Sequence, residues 1–252
     1  MEKKAVLETQ GLCKFFGGIK AVNNVDFKLY ENEILGLVGD NGAGKSTLIK
    51  TISGLYKKDD GKVYLDGKEV EINSPIDARR YGIETVYQDQ GLIPILDAAS
   101  NLFLGREKLR DNPIGKFFKI VDERYMRKET EKVLEELGIK LKSISTEVFS
   151  LSGGERQIAA IGRAVYWGEN ILIFDEPTNN LGVKQERKVL DLIKRLREEF
   201  KISIIVITHN ISHIFELVDR IIVLRNGEKV GEKMKDETNP NEIVSMIIGV
   251  AA

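Results

Sequence analysis

Cysteine is almost absent from this chain. Cys13 is the single cysteine among 252 residues, which excludes both an internal disulfide and a metal cage built from cysteines. Such cysteine usage is typical of proteins from a reducing compartment. The length allows one large domain or two small ones around a substantial core.

Long apolar runs and a strong charge of one sign are also missing. The longest apolar runs, such as 171–174 and 204–207, have the length of buried strands and stay far below the roughly 18 residues of a membrane-spanning helix. The first residues, MEKKAVLETQ, lack the apolar core of a signal peptide. We therefore expect a chain that is soluble by itself and that needs another chain to span a membrane. The net charge of −1 argues against nucleic-acid binding through global charge.

The first third of the chain contains strand, turn and helix patterns. Its first 35 residues alternate β-branched and aromatic runs with turns, which predicts antiparallel strands that lead into one buried strand. Gly17-Gly18 and Asp66-Gly67 are the expected hairpin turns. After residue 45, helical spacing places Leu48, Ile52 and Leu55 on one face of a helix.

The remainder predicts helices first and a parallel sheet afterwards. A polar amphipathic helix is expected over 122–137, closed by Gly138, and another over 155–168. Apolar strands in ILIFDEP, ISIIVITHN and RIIVLRNGEKV then alternate with a helix over 184–200, which is the pattern of a parallel α/β sheet.

These patterns predict a discontinuous α/β architecture. A mixed β and α/β core is expected from 1–87 and 166–252, with a mostly helical insert over 88–165.

A phosphate-binding loop follows the predicted buried strand. Residues 39–46, GDNGAGKS, match the pattern G-x-x-x-x-G-K-[ST] between a strand and a helix. Glycines let the backbone amides face phosphate oxygens, Lys45 reaches the β- and γ-phosphates, and the Ser46 hydroxyl ligates Mg²⁺. The candidate nucleotide-binding residues of this loop are Gly39, Asp40, Asn41, Gly42, Ala43, Gly44, Lys45, Ser46 and Thr47.

Two adjacent acids end the apolar strand ILIFDE. Asp175 is the candidate Mg²⁺ ligand, through water, because Mg²⁺ keeps several waters in protein sites. Glu176 is the candidate general base that activates the attacking water. Two acids at a strand end are common, and they become informative only beside the phosphate loop.

Three further side chains are candidates for the same site. Gln88 follows a predicted strand and could ligate Mg²⁺ and touch the lytic water. His209 ends another strand and could bind the γ-phosphate and orient Glu176, although a strand-end histidine is more often structural. Phe16 could stack on adenine, while the neighbouring Phe15 is expected in the core. A zinc site at His209 and His213 is rejected because no third ligand is evident.

A second helix start, FSLSGGERQ, lies over 149–157. Its serine and two glycines would present free amides and a positive dipole end, which suits an anion. Without a lysine, such a start attracts a phosphate by about 1 kcal/mol and would bind ATP poorly by itself.

The phosphate loop, Gln88, LSGGERQ (151–157), ILIFDEPT (171–178) and His209 occur in the order and spacing of an ABC-transporter nucleotide-binding domain, which the whole chain resembles. The resemblance implies a P-loop NTPase core with an antiparallel β subdomain and a helical insert. It also implies ATP hydrolysis by two such domains packed head to tail, each completing the other's ATP site. The residues implied at this second contact are Ser152, Gly153, Gly154 and Glu155.

The finer resemblance is to carbohydrate importers of the ribose, galactose and xylose type. Residues 82–107 and 178–185 are similar to the corresponding segments of that group. This implies transmembrane permease subunits contacted through 88–105, an extracytoplasmic solute-binding protein, and a peripheral position on the cytoplasmic side of the membrane. One departure is Asn179-Asn180-Leu181-Gly182, which lacks the aspartate usual in relatives and leaves the usual cross-dimer contact there in doubt.

Other interpretations compete with sugar import. A soluble ABC-type ATPase acting on ribosomes or DNA would usually carry two domains, coiled-coil insertions or basic arms, which this sequence lacks. A small-molecule kinase has no need of the LSGGERQ segment. An ABC subunit for export remains open. So does the choice between a single-domain subunit and the first half of a two-domain ATPase.

Overall fold

A computed structural model of the protein describes residues 3–139, 143–168 and 170–250. The chain divides into two compact units, a core unit and a helical unit. The core unit comprises Met1–Gln88, Gly168–Pro177 and Leu190–Ala252. The helical unit comprises Asp89–Trp167 and Thr178–Val189. Residues 178–189 therefore pack with the helical unit, whereas the sequence prediction assigned them to the core.

An antiparallel sheet begins the core unit. Its strands are β1 (Ala5–Phe16), β2 (Ile19–Tyr30), β4 (Asp60–Leu65) and β5 (Lys68–Val70), in the order β2-β1-β4-β5. The predicted hairpin turns at 17–18 and 66–67 are confirmed, because each joins two neighbouring antiparallel strands of this sheet.

The second sheet of the core unit is parallel over most of its width. Its order is β10-β9-β3-β8-β7-β6, and the pairs from β9 to β6 are all parallel. The apolar strand pattern predicts this parallel sheet, but it does not predict that β10 pairs antiparallel with β9. The strands are β3 (Ile34–Val38), β6 (Ile83–Val86), β7 (Ile171–Asp175), β8 (Ser203–Ile207), β9 (Arg220–Arg225) and β10 (Glu228–Met234).

Strands β3, β7 and β8 are buried at every residue, as expected for parallel strands covered on both faces. The carboxyl ends of β3, β6, β7 and β8 meet at one edge of the sheet, because parallel neighbours end on the same side. The four strands end next to the predicted site residues: the phosphate loop, Gln88 and His209 follow β3, β6 and β8, while Asp175 ends β7 and Glu176 follows it.

Helix α1 (Lys45–Ile52) packs into the core through Leu48, Ile49 and Ile52, which are buried. It ends earlier than predicted, because Gly54 adopts a left-handed backbone with φ of +74°. Leu55 lies beyond this end and is exposed, so its predicted place on the helix face is wrong. The other helices of the core unit are α2 (Pro75–Arg80), α8 (Ile211–Leu217), α9 (Pro240–Ile248) and the C-terminal part of α7 (Val183–Glu198).

The helical unit has a small core of its own. Phe103 lies there with edge-to-face contacts to Tyr125, Tyr166 and Trp167, and the Trp167 indole N–H donates to the Leu102 carbonyl over 2.6 Å. The helices are α3 (Ala98–Leu102), α4 (Pro113–Phe117), α5 (Glu123–Glu136) and α6 (Gly153–Trp167), with a 3-10 turn at Val148–Ser150. None of the helices in the described ranges combines the length and apolar character that a membrane crossing requires.

Helix α6 starts two residues before the predicted position of 155. The reason is a capping box: the Ser152 hydroxyl accepts from the Glu155 N–H, and the Glu155 carboxylate accepts from the Ser152 N–H. This pair fixes the first turn at Gly153 and Gly154, which a propensity argument would have left outside the helix. The predicted end near Gly168 agrees with the observed end at Trp167.

Candidate functional site

The phosphate loop between β3 and α1 requires glycine for steric reasons. Gly39, Gly42 and Gly44 have φ of +155°, +80° and +101°. A Cβ at Gly44 would lie 2.3 Å from the Ala21 carbonyl oxygen, and one at Gly39 equally close to the Leu224 carbonyl oxygen. The loop therefore holds its shape only where a side chain is absent.

The amides at the start of α1 are available to a ligand. Its N-cap, Gly44, supplies no side chain, and no described residue caps this start by a side-chain hydrogen bond. The first turn, all of it described, contains no acidic residue. An uncapped helix start with its positive dipole end is a site for an anion.

Lys45 is held inside this loop. Its side chain curls back so that Nζ donates to the carbonyl oxygens of Gly39 and Asp40, over 2.8 and 2.9 Å. Burial lowers the pKa of the Lys45 ammonium, and the charges of Glu176 and Asp175 act in the opposite direction. The loop thus places a desolvated cation beside its own amides.

A cavity of about 500 Å³ opens at this loop. Six separate segments of the core unit line it, and three of them carry most of the predicted phosphate-site residues. Its lining consists of Ile19, Lys20, Ala21, Asn41, Gly42, Ala43, Gly44, Lys45, Ser46, Thr47, Gln88, Asp175, Glu176, Ile207 and Asn226.

Asp175 is the buried acid of this cavity. Its side chain is enclosed at the end of β7, and burial together with the neighbouring Glu176 charge raises the pKa of its carboxyl. A hydrogen bond with the Ser46 hydroxyl and the charges of Lys50 and Lys45 act the other way. Asp175 and Ser46 therefore lie side by side, as the phosphate-loop pattern predicts.

Glu176 has an unusual backbone and two partners. Its φ of +52° is left-handed, and its N–H donates to the Ile207 carbonyl over 2.9 Å. One carboxylate oxygen accepts from the His209 N–H over 3.1 Å, and the other lies 2.9 Å from His209 Nδ1. The predicted pairing of Glu176 with His209 is therefore present in the structure. A left-handed non-glycine residue costs about 1 kcal/mol or more, and such residues cluster at functional sites.

Part of this cavity comes from residues that no motif in the sequence indicates. Ile19, Lys20 and Ala21 line it from the start of β2, and Asn226 from the turn after β9. Their placement depends on close backbone packing, because a Cβ at Gly227 would lie 2.7 Å from the Lys20 carbonyl oxygen. No local sequence pattern predicts a contact between backbone atoms of such distant segments.

Phe16 lies elsewhere. It does not appear among the described residues that line the cavity. Its exposed ring makes an edge contact with Tyr56, with centroids 5.2 Å apart, and lies 5.4 Å from Lys14 Nζ. Its stacking on adenine stays a prediction. Three other predicted residues also lie outside the lining. Gly39 and Asp40 accept hydrogen bonds from Lys45, and His209 contacts the Glu176 carboxylate.

The second helix start, in the helical unit, is built differently. The Ser152 hydroxyl donates to the Glu155 carboxylate over 2.7 Å, and the same carboxylate oxygen accepts from the Ser152 N–H over 2.9 Å. Gly154 is covered by Gln185, whose Cγ would lie 2.4 Å from a Cβ at that position. Leu181 lies against Gly153, because its Cδ2 atom would be 3.8 Å from a Cβ at that position. Residues 178–185 therefore pack on the start of α6 within this unit.

The fold and the cavity define a P-loop nucleotide hydrolase, and comparisons with known proteins specify the family. Residues 22–179 match the family described as ABC transporter. The chain is 44% identical to the fructose import ATP-binding protein FrcA of Rhizobium meliloti, over 91% of this chain and 88% of that protein. It is 43% identical to the xylose/arabinose import ATP-binding protein XylG of Sulfolobus acidocaldarius, over 98% and 95%. The chain belongs to the ABC transporter family and is an ATPase of that family.

Longer relatives and solved structures agree with this assignment. The chain is 41% identical to the ribose import ATP-binding protein RbsA of Caldanaerobacter subterraneus over 97% of its length, but spans only 48% of that protein. The ADP conformation of MJ1267, an ATP-binding cassette of an ABC transporter, superposes with a TM-score of 0.81 at 26% identity, covering 97% of this chain and 99% of that one. A dimeric post-hydrolysis cassette, MJ0796 with ADP and Pi, gives 0.75 at 28% identity, over 91% and 98%. The fold is therefore that of a cassette that binds ATP or ADP.

Proposed function

We propose that this protein hydrolyses ATP to power the import of a monosaccharide through a membrane permease. The named relatives include import proteins for fructose, for xylose or arabinose, and for ribose, which supports the sugar class. These same relatives do not favour the alternatives of a soluble ABC-type ATPase acting on ribosomes or DNA, or of an export subunit.

The observation that carries the proposal is the joint position of Lys45, Asp175 and Glu176 around one cavity. Lys45 and the amides at the start of α1 would hold the β- and γ-phosphates. Asn41, Gly42, Ala43 and Gly44 line the same wall. In this structure the Asn41 and Ala43 N–H groups donate to Asp40, over 2.7 and 3.1 Å. A triphosphate would therefore receive the Lys45 cation and the N–H donors at the start of α1, and would have to displace these two bonds to recruit the others.

The donors near Asp175 fit Mg²⁺. Ser46, Asp175 and Gln88 offer a hydroxyl, a carboxylate and an amide oxygen around the cavity, which are oxygen ligands of the kind that Mg²⁺ takes. Within the described residues no group of three or more histidine, cysteine, aspartate or glutamate residues could hold a metal alone. We infer that the ion would be shared with the phosphates, where it would neutralise developing charge.

Glu176 is the proposed general base. Its carboxylate faces the cavity and would accept a proton from the water that attacks the γ-phosphate. His209 holds this carboxylate through its N–H and Nδ1, so it orients the base. When both ring nitrogens carry protons, Nε2 is free to donate to a phosphate oxygen.

The start of α6 would complete the ATP site of a second copy. Related cassettes have been solved as dimers, which supports head-to-tail pairing of this chain or pairing with another ABC domain. Ser152, Gly153 and Gly154 would meet the γ-phosphate bound on the partner's loop, and Glu155 would lie beside them. Closure would then depend on the γ-phosphate, so that hydrolysis opens the dimer.

An apolar surface in the helical unit supports contact with the permease. Ile95 and Phe149 are 73% and 72% exposed, and Ile93 is exposed beside them in the chain. The Phe149 N–H donates to the Pro94 carbonyl over 2.9 Å, so the segments that carry these exposed side chains are neighbours. We infer that this face, within the predicted contact region 88–105, meets the permease on the cytoplasmic side of the membrane. An extracytoplasmic solute-binding protein would complete the system, and no nucleic acid takes part.

Glu176→Gln tests the hydrolytic role. The amide cannot accept a proton, so turnover should fall on the order of a thousandfold while ATP affinity changes little. The trapped ATP should also favour a dimer, which light scattering detects. The matched control, Glu237→Gln at an exposed position in the core unit, should leave both properties unchanged. Normal turnover by Glu176→Gln would sink the proposal.

The sugar class needs a separate assay. The chain would be reconstituted in proteoliposomes with the permease and solute-binding protein of its system, and ATP-dependent uptake of fructose, xylose and ribose would be measured. Uptake of at least one of them that is lost with Glu176→Gln is the expected result. ATP-dependent efflux, or no sugar transport, would contradict the assignment.

A further inference from the structure

A loop of the helical unit carries apolar side chains outward. It is closed at its base by the bridge between Leu109 and Val121, and we name residues 110–120 the tip loop. Helix α4 lies within it and buries only Gly115. Four large apolar side chains of the tip loop are exposed: Ile114 (67%), Phe117 (80%), Phe118 (68%) and Ile120 (37%).

Hydrogen bonds of the backbone hold this shape. The Ile120 N–H donates to the Gly115 carbonyl over 2.8 Å, and the Arg110 N–H donates to the Ile120 carbonyl over 2.9 Å. The Asn112 side chain caps α4, and Pro113 occupies its first turn. A Cβ at Gly115 would lie 2.5 Å from Arg110 Cβ, so the loop is tightly folded on itself. The apolar side chains are thus displayed by an ordered frame.

The charge around these side chains is predominantly positive. Residues 108–120, KLRDNPIGKFFKI, contain the basic Lys108, Arg110, Lys116 and Lys119 and the single acid Asp111, which gives 4 − 1 = +3. The whole chain has a net charge of −1, so the remainder carries −1 − 3 = −4. All four basic residues are exposed, and Lys116 also pairs with Asp111 over 2.6 Å. Positive charge is therefore concentrated at the apolar loop.

We propose that the tip loop binds the surface of an anionic bilayer, with Phe117 and Phe118 in the interface and the basic side chains on lipid phosphates. Exposed aromatic residues next to lysines are the composition of segments that lie in a membrane interface. Lysine stems also extend along apolar surface while the ammonium stays in the polar layer.

A protein partner fits this composition less well. Lysine is depleted in the buried centre of protein interfaces, yet Lys116 and Lys119 directly flank the two phenylalanines. The permease contact proposed above uses 88–105 and Phe149, which lie outside the tip loop. The inference therefore extends the proposed function by a direct lipid contact that requires no permease.

The test is flotation of the full-length chain with vesicles that contain no protein. Vesicles of phosphatidylcholine with about one third phosphatidylglycerol should bind the chain at low salt, pure phosphatidylcholine should bind it far less, and added salt should weaken binding. Phe117→Ser with Phe118→Ser should reduce affinity on the order of a hundredfold. Lys116→Gln with Lys119→Gln should reduce it about fivefold for each lysine.

Matched variants at other exposed positions control for surface changes. Ile76→Ser with Ile248→Ser removes two apolar side chains that are 60% and 66% exposed. Lys57→Gln with Lys68→Gln removes two exposed lysines of the core unit. Both pairs should float as the unchanged chain does, and circular dichroism verifies that every variant is folded.

The proposal is overturned if the chain does not float with anionic vesicles, if neutral vesicles bind it equally, or if the tip variants behave like their controls. Loss of permease copurification in tip variants that still bind vesicles would assign the loop to the permease and also overturn it. The vesicles contain neither permease nor ATP, so none of these results depends on the proposed ATPase cycle.

Discussion

The starts of α1 and α6 are both glycine-rich, and they satisfy their backbone amides in opposite ways. At α1, the cap residue is Gly44, and no side chain in the described part of the protein bonds to the free amides. At α6, the Glu155 carboxylate returns to the Ser152 N–H and hydroxyl. One start is open to an anion and has Lys45 beside it, whereas the other already holds a carboxylate of its own.

This difference explains why the two sites would act in sequence. The α1 loop offers a cation and uncapped amides, so it would bind a nucleotide without help. The α6 start opposes a free phosphate with the Glu155 charge, so it would bind only a phosphate presented by another site. In the proposed cycle, ATP binds first at the α1 loop, and the α6 start of the partner then closes over the bound ATP.

We expect the largest effect from Lys45→Ala, which should weaken ATP binding at the start of α1. It removes a buried cation and at least two charge-assisted hydrogen bonds to phosphate, so ATP affinity should fall on the order of a thousandfold. Equilibrium binding of a fluorescent ATP analogue measures this loss. Lys57→Ala, at an exposed position of the core unit, is the control. Unaltered affinity in Lys45→Ala would mean that the open start is not the loading site.

Replacing Gly44 at the start of α1 or Gly154 at the start of α6 by alanine should lower the free energy of unfolding by different amounts. Gly44→Ala places Cβ against the Ala21 carbonyl at a φ of +101°, so it should lower the free energy of unfolding by about 3 kcal/mol. Gly154→Ala meets Gln185 Cγ and Cβ, at 2.4 and 2.8 Å, and these atoms are close to the backbone. Gly154 has no left-handed φ, so a smaller loss of about 2 kcal/mol is expected. Urea denaturation followed by circular dichroism compares them. Equal losses would contradict the steric distinction between the loops.

Ser152→Arg should affect closure without affecting loading. The larger side chain would block the α6 start, so ATPase turnover should fall about a hundredfold while ATP affinity of the isolated chain stays near normal. Steady-state hydrolysis and equilibrium binding measure the two properties separately. If both fall together, the α6 start acts on the nucleotide of its own chain. Ser150→Arg, an exposed position two residues earlier, is the matched control.

Local patterns were sufficient to predict much of the fold and the site. The phosphate loop, the strand before Asp175 and Glu176, and the hairpin at 66–67 each depend on residues that are adjacent in sequence. The position of His209 after an apolar strand allows a contact with Glu176, and the structure shows the reason for the contact: the strands before the two residues are parallel neighbours. In a parallel sheet the carboxyl ends of neighbouring strands lie at the same edge, so residues that follow different strands in the sequence come close together there.

The missed features depend on contacts between distant segments. The Ala21 carbonyl lies against Gly44, and the Lys20 carbonyl lies against Gly227. Both carbonyls belong to the backbone, so the side chains of residues 20 and 21 give no sign of these contacts. The early end of α1 depends on Gly54, where a Cβ would lie 2.3 Å from the Ser74 carbonyl oxygen. The stretch at 149–157 is predicted as a helix start from its sequence, but the Ser-x-x-Glu capping box at 152–155, which places that start at Gly153, is not part of the prediction.

The most direct measurement mixes two inactive variants, Lys45→Ala and Ser152→Arg, in equal amounts. In a head-to-tail pair of one chain of each kind, one composite site is intact, with Lys45 from one chain and Ser152 from the other. ATP trapped per chain should therefore rise to about a quarter of the unmodified level, since half of the random pairs are mixed and each has one complete site. Trapping that stays at the level of the separate variants would show that the two helix starts do not complete each other across a dimer.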